Sequence, residues 1–501
     1  MTAAPPANGA AAADDAVAIA ADVLAGRRSA AEVLAAHVAR HRAVRELNAL
    51  VQPRLGEAAA EAAAFDAGAT GSRSAATAPL AGVPVSVKEC FPIRGMRTTL
   101  GIPWRRDVLD ADDAWLVTRL REAGAIVVGK ANVPQAMYMH ETVNPVWGRT
   151  DHPLDQRRNP GGSSGGDAAL VASGVVPLAV GNDLAGSLRQ PAHACGIAAI
   201  VPRTTALGDG GAFDTLPGLR VVRPRAGFLA RSVGDLALAC AAAGVAATPR
   251  PADAPRLRVG WWDAAGPIPA SPVILRAVRE AVAALDRNGV DVVRLDGRVA
   301  DEAAWLHLAL LAADGGTDVR ALFGPDRPMR GVRRLLAFAR LPRRWRPAVA
   351  TLARLAGSRI EAEGVRRTGP RDVAAFADLV VARDELATRF AAEVAGCDCV
   401  VCPVAAVPAM RHGAAARLIL ATAPCLPANL FDLAAGAVPV TCVRGDEERG
   451  RRWSPDPVLR AAVATDRGSR GLPVGVQVVG CPGRDEATVL DVMRLIEGAR
   501  G

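Results

Sequence analysis

Lysine is used only at Lys88 and Lys130, and every other member of the 60 basic residues is an arginine. The distinction is chemical. Arginine keeps its proton inside a protein, whereas a desolvated lysine can release one and act as a base. Lys88 closes the apolar run Val83-Pro-Val-Ser-Val87, where burial is expected. Moving its pKa from about 10.4 to about 7 takes roughly 4–5 kcal/mol, within what burial supplies. The competing reading is chance composition with the ammonium at the surface; Lys130, beside Gly129 at a strand end, is assigned to that reading.

Two serines lie in segments that suit work on a carbonyl group. Gly161-Gly-Ser-Ser-Gly-Gly166 places Ser163 and Ser164 among glycines that let backbone approach a ligand closely. The segment lacks the Gly-Lys-Ser/Thr ending of a phosphate loop. It fits Gly-x-Ser-x-Gly around Ser163, but a nucleophile elbow needs a strand directly before it. Here the loop Asp155-Gln-Arg-Arg-Asn-Pro160 precedes. The second segment, Gly181-Asn-Asp-Leu-Ala-Gly-Ser-Leu-Arg-Gln-Pro191, follows a strand candidate and carries Ser187 in a turn of small residues. Successive amides of such a turn can converge on one oxygen and stabilise an oxyanion.

Together, Gly82-Val-Pro-Val-Ser-Val-Lys88, Gly161–Gly166 and Gly181…Asp183…Gly186-Ser-Leu-Arg189 with Pro191 resemble the amidase signature family. The resemblance runs without large gaps from about Leu80 to Pro202. It continues more weakly at Leu430–Thr441 and Gly471–Gln477. Lys88-Glu-Cys-Phe91 and Asn132-Val-Pro-Gln-Ala-Met137 are most similar to the fatty-acid amide hydrolase branch.

The resemblance implies Ser187 as nucleophile, Lys88 as base and Ser163, after a cis peptide bond, as the relay between them. It implies an oxyanion hole from the amides of Leu184, Ala185, Gly186 and Ser187, and Met137 lining the acyl site. The implied reaction is hydrolysis of a carboxamide, fatty-acyl or otherwise hydrophobic, to acid plus ammonia or amine through an acyl-enzyme. None of the seven histidines falls inside these motifs; this is the Ser-Lys variant of triad logic. No cofactor and no metal are expected.

Three places depart from the family pattern. Asn182 stands where threonine is usual, Ala185 where glycine is usual, and Ile197-Ala-Ala-Ile-Val-Pro-Arg203 replaces a stretch like Gly-Leu-Lys-Pro-Thr. A positive φ at Ala185 would strain the oxyanion loop by about 1–2 kcal/mol. Two alternatives stay open: a glutamine-hydrolysing subunit of an amidotransferase, and a catalytically weakened binding or scaffold homologue.

The elements that must carry these residues alternate between strand and helix, which argues for an α/β layered fold. Strands are expected at Val83–Val87, Ala125–Val128, Val175–Val180, Leu257–Trp262, Val290–Leu295 and Val474–Val479. Helices are expected over 14–66, Ala114–Ala123, Gly166–Ser173, Ile274–Arg287, most of 300–395 and Asp485–Ile496. The family implies one large domain, a mixed twisted sheet covered by helices on both faces. Within it, 1–13 reads as a disordered N-terminus, 14–80 as N-terminal helices and 81–245 as the signature core. Residues 246–420 read as an insertion shaping the substrate mouth, and 421–501 as the C-terminal part of the core.

Composition narrows the partners. Half the residues are apolar, so a large core is expected, and the single tyrosine, Tyr138, leaves few stacking surfaces for nucleic acid. The net charge of +9 is spread thinly. It concentrates at Arg333, Arg334, Arg340, Arg343, Arg344 and Arg346, interleaved with Leu335, Leu336, Phe338, Leu341 and Trp345. That stretch reads as an amphipathic helix pair covering the core, with peripheral membrane contact as the alternative. Cys397, Cys399 and Cys402 have half of a zinc-site spacing without its complement, and read as a buried strand. No run of about 18 uninterrupted apolar residues exists, so no membrane span is expected. A small-molecule amide is the expected partner, a homodimer is open, and a reduced, cytoplasmic setting is expected.

Overall fold

Apolar, β-branched Val83–Val87 forms a strand because every side chain finds a buried neighbour: Pro84–Lys88 is extended and buried at all five positions. In the computed structural model this strand lies inside a sheet of eleven. The structure describes residues 15–68, 74–245, 250–251, 254–264 and 266–499; the expected disordered segment 1–13 lies outside them.

In chain order the strands are β1 (Leu50–Pro53), β2 (Pro84–Lys88), β3 (Ile126–Ala131), β4 (Val143–Asn144), β5 (Gly148–Arg149), β6 (Leu178–Asp183) and β7 (Ala198–Val201). They continue as β8 (Arg225–Ala230), β9 (Arg258–Trp261), β10 (Asp291–Arg294), β11 (Cys399–Pro403), β12 (Ala435–Cys442) and β13 (Pro473–Gly480). The sheet order is β1-β3-β2-β6-β8-β7-β12-β13-β11-β9-β10, with β4 and β5 as a separate hairpin. β2 runs parallel to both β3 and β6, while β8 turns antiparallel to β6, so the sheet is mixed. Neighbouring positions on one strand, Val127 and Val128 or Val180 and Ala179, enter different apolar clusters. Both faces of the sheet are therefore covered, and the fold is the α/β architecture expected.

Several boundaries differ from the sequence reading. The strand expected at Val175–Val180 begins after Pro177, which has no N–H for a ladder. Val175 and Val176 instead donate their amides to the Leu170 carbonyl at the end of the helix Gly165–Ala172. Residues 14–66 are not all helical, because β1 pairs antiparallel with β3 at the sheet edge. The 246–420 segment contributes β9, β10 and β11 to the sheet. Its excursion is the helical part, Arg298–Leu311 through Val373–Glu393. Cys399 and Cys402 are buried on β11, as small hydrophobes would be.

The basic stretch is the helix pair Arg330–Arg340 and Arg346–Leu355, which buries Val332, Leu336 and Ala339. Arg346 is not a surface charge. It is buried, and its guanidinium joins the carbonyls of Phe338, Leu341 and Val365 at 2.6–2.9 Å. No helix among the described residues is long and apolar enough to cross a membrane.

Candidate active site

The parallel register of β2 and β6, Ser86 beside Ala179 and Val87 beside Val180, brings the C-terminal ends of both strands to one edge. Open α/β sheets bind ligands at such an edge. Lys88 ends β2 there, fully buried, with its Nζ 2.7 Å from Ser163 Oγ. The next strand supplies the other contacts: Nζ lies 2.6 Å from Asn182 Oδ1 and 3.3 Å from the Asn182 carbonyl. Burial pushes the Lys88 amine below the ordinary lysine range; the Cys90 thiol and the carboxyls of Asp167 and Asp183 act in the opposite sense.

Ser163 sits in the glycine-serine loop that opens the helix Gly165–Ala172, after a cis Gly162–Ser163 bond. The loop needs glycine at 162, since a Cβ there would stand 2.7 Å from the Met139 carbonyl oxygen. The Ser164 amide donates to the Ser187 carbonyl at 3.2 Å, which laces this loop to the second serine segment.

Asp183 organises the turn that carries Ser187. Its carboxylate accepts from the amides of Gly186 at 2.8 Å and Leu188 at 3.0 Å. It pairs with Arg189 at 3.0 Å, both side chains fully buried. Burial opposes the charged form, yet Arg189 and the two amides outweigh it and hold the carboxyl below the usual range. Arg189 also reaches Gln477 at 2.9 Å and Asn429 at 2.6 Å, tying the turn to β13 and the C-terminal part of the chain.

Of the four amides expected to face an oxyanion, that of Gly186 is directed to Asp183. Those of Leu184, Ala185 and Ser187 have no hydrogen-bond partner among the described residues. The positive φ of this turn, +94°, belongs to Gly186, and Ala185 is not among the residues with positive φ. Alanine at 185 therefore carries no left-handed strain.

Ser187, Leu184, Ala185 and Met137 share the wall of one cavity. The rest of the lining is mostly apolar and comes largely from the helical excursion, including Leu308, Leu335, Phe338 and Ile360. The polar exceptions include Arg334 paired with Glu361 at 2.5 Å, and Arg417. Lys88 and Ser163 lie behind the wall rather than on it.

One group at the site was not singled out from the sequence, and one lysine lies elsewhere than expected. His140 lines the cavity, and its Nε2 stands 3.2 Å from the Ala185 carbonyl. The carbonyl can only accept, so Nε2 carries the proton; burial pushes the ring down to about 4 and keeps it neutral near pH 7. Its place three residues after Met137 was the signal available. Lys130, expected at the surface, is buried and pairs with Asp110 at 3.1 Å while donating to Thr98 and the Arg97 carbonyl. Its role is to tie β3 to the 97–110 loop. Among the described residues no cluster of three or more His, Cys, Asp or Glu is arranged to hold a metal ion.

The family model for amidases matches residues 32–489 of this chain. The chain belongs to the amidase family. Among curated relatives of this amidase-family chain, fatty-acid amide hydrolase 1 of Sus scrofa is 30% identical over 451 residues, covering 83% of this chain and 75% of the relative. A glutamyl-tRNA(Gln) amidotransferase subunit from Deinococcus radiodurans is 38% identical over 216 residues, 43% of each chain. Among solved structures, a fatty acid amide hydrolase aligns over 98% of this chain and 85% of its own, with a TM-score of 0.81 at 21% identity. That likeness speaks to the fold. Family membership makes this amidase a hydrolase of carbon–nitrogen bonds in amides.

Proposed function

We propose that the chain hydrolyses hydrophobic carboxamides to acid plus ammonia or amine, with Ser187 as nucleophile, Ser163 as relay and Lys88 as base. The observation that carries this reading is the hydrogen bonding of Lys88. A neutral amine has two hydrogens and one lone pair. Asn182 offers two oxygens, at 2.6 and 3.3 Å, and Ser163 the hydroxyl at 2.7 Å. For the neutral amine, this reading assigns the two hydrogens to the Asn182 oxygens and the lone pair to the Ser163 hydroxyl, the direction a relay requires.

In this mechanism Ser163 passes its proton to Lys88 and takes that of Ser187, whose oxygen attacks the amide carbon. The amides of Leu184, Ala185 and Ser187 stabilise the oxyanion, while Gly186 and Asp183 hold the turn that aims them. The proton then returns through Ser163 to the leaving nitrogen, without which the amide bond does not break. Water repeats the cycle on the acyl-enzyme and releases the acid.

The cavity supports a hydrophobic acyl group, since apolar side chains dominate its wall and bury apolar ligand surface favourably. The same lining argues against glutamine as the substrate. A partner-free test is labelling with a fluorophosphonate probe. The reading expects the label on Ser187 and its loss in Lys88→Ala; a well-folded protein that never labels would support the scaffold alternative.

A further inference from the structure

Residues two apart on a strand share a face, so Ser86 and Lys88 point to the same side of β2. The helix Gly165–Ala172 packs over that strand and carries Asp167 in its first turn. Ser86 Oγ donates to Asp167 Oδ1 at 2.8 Å, with both side chains fully buried. The other carboxyl oxygen, Oδ2, has no hydrogen-bond partner among the described residues. A buried carboxyl left half-satisfied, one helical turn beyond Ser163, calls for an explanation.

The charged groups on the elements packed against this helix narrow the choice. Asp183 on β6 is paired with Arg189 of the following helix. His193 of that helix is buried, and burial pushes its ring below the usual range, so it is neutral near pH 7. Lys130 on β3 is paired with Asp110, and Arg225 on β8 with Asp432. Lys88 on β2 is the remaining basic group on these elements, and its direct contacts are neutral oxygens of Ser163 and Asn182. Beyond it on the same segment lies the buried Cys90 thiol, pushed up to about 12 by burial and so uncharged near neutrality.

We propose that Asp167, anchored by Ser86, is a positioning residue whose carboxylate sets how tightly Lys88 holds its proton, and thereby fixes the acid limit of activity. The proposal rests on the reading of Lys88 as base. Through a buried, low-dielectric path a carboxylate favours the ammonium form of a nearby amine without touching it. Burial pushes the Asp167 carboxyl up to about 7, against the Ser86 hydroxyl and Lys88, which favour its ionised form. Asp167 therefore changes charge near neutral pH. Once ionised it holds the lysine proton more tightly, and the active, neutral amine appears only at higher pH.

Asp167→Asn preserves shape and removes the charge. Ser86→Ala leaves the carboxyl in place but removes the donor that favours its ionised form. The test measures two pH profiles for wild type and both variants: the rate of fluorophosphonate labelling at Ser187, and kcat/KM for an acyl amide. The acid limb is expected to move about one pH unit lower in Asp167→Asn, and by a smaller step the same way in Ser86→Ala. An acid limb of labelling that stays in place in both variants overturns the proposal. If the labelling profiles shift but no amide is turned over, the coupling of Asp167 to Lys88 holds and the substrate reading falls.

Discussion

Asn182 Oδ1 lies 2.6 Å from Lys88 Nζ, a contact made across two parallel strands and shielded from water. The side-chain carbonyl of the asparagine accepts from the amine at 2.6 Å, beside the backbone carbonyl of the same residue at 3.3 Å. Asn182→Ala should lower kcat/KM by about tenfold, the equivalent of about 1.4 kcal/mol in the barrier. Asn182→Asp should lose more, because a carboxylate there stabilises the ammonium form. Equal losses in steady-state assays of the two variants would contradict this role.

The cavity predicts a dependence on acyl length. Leu335 is half-buried on its wall. Leu335→Trp should reduce kcat/KM for long-chain amides by about tenfold while short-chain amides change by less than about threefold. Parallel losses for all chain lengths would remove the apolar cavity from the account of specificity.

Peripheral contact with a lipid surface can be tested at the second helix of the basic pair and the turn before it. Trp345, Leu352 and Leu355 are exposed there beside Arg343, Arg344 and Arg354. Apolar side chains flanked by arginines bind anionic bilayers by burial and charge together. Wild-type protein should sediment with anionic vesicles and release at high salt. The variant carrying Trp345→Ala, Leu352→Ser and Leu355→Ser should remain in the supernatant; no vesicle binding by wild type would exclude the contact.

His307 makes a prediction about stability. Its ring is fully buried with both nitrogens unpartnered among the described residues, and burial pushes it down to about 3. The unfolded chain takes up a proton below about 6.5 that the folded site refuses. His307 thus costs the fold increasingly as pH falls from about 6.5 towards 3, and costs it no such penalty at pH 8. His307→Leu should gain about 2 kcal/mol relative to wild type at pH 5 over its effect at pH 8. Urea unfolding at the two pH values measures the difference, and an identical effect at both would contradict it.

How much was legible follows from where each constraint sits. Lys88 stood out as one of two lysines and the serines as lying among glycines, while the roles proposed for Lys88, Ser163 and Ser187 come from the resemblance to the amidase signature family. The strand ending at Lys88 was legible because its apolar run permits little else. Lys130 was misplaced because its partner Asp110 lies in an irregular loop with no periodic signal, so nothing local showed the burial. The burial of Arg346 was not legible either, since its partners are backbone carbonyls, which carry no residue identity. The φ angles around Ala185 are set by Asp183 gripping the Gly186 amide, a tertiary contact that spacing does not reveal. His140 and Asp167 take their significance from neighbours on other strands and helices.

The most direct test of the account is release of ammonia or amine from acyl amides of graded chain length by wild type, Lys88→Ala and Ser187→Ala. The account predicts turnover by wild type that favours hydrophobic acyl groups and falls by about a thousandfold or more in each variant. A Lys88→Ala protein that keeps wild-type rates, or a well-folded wild type that releases nothing from any amide, would contradict it.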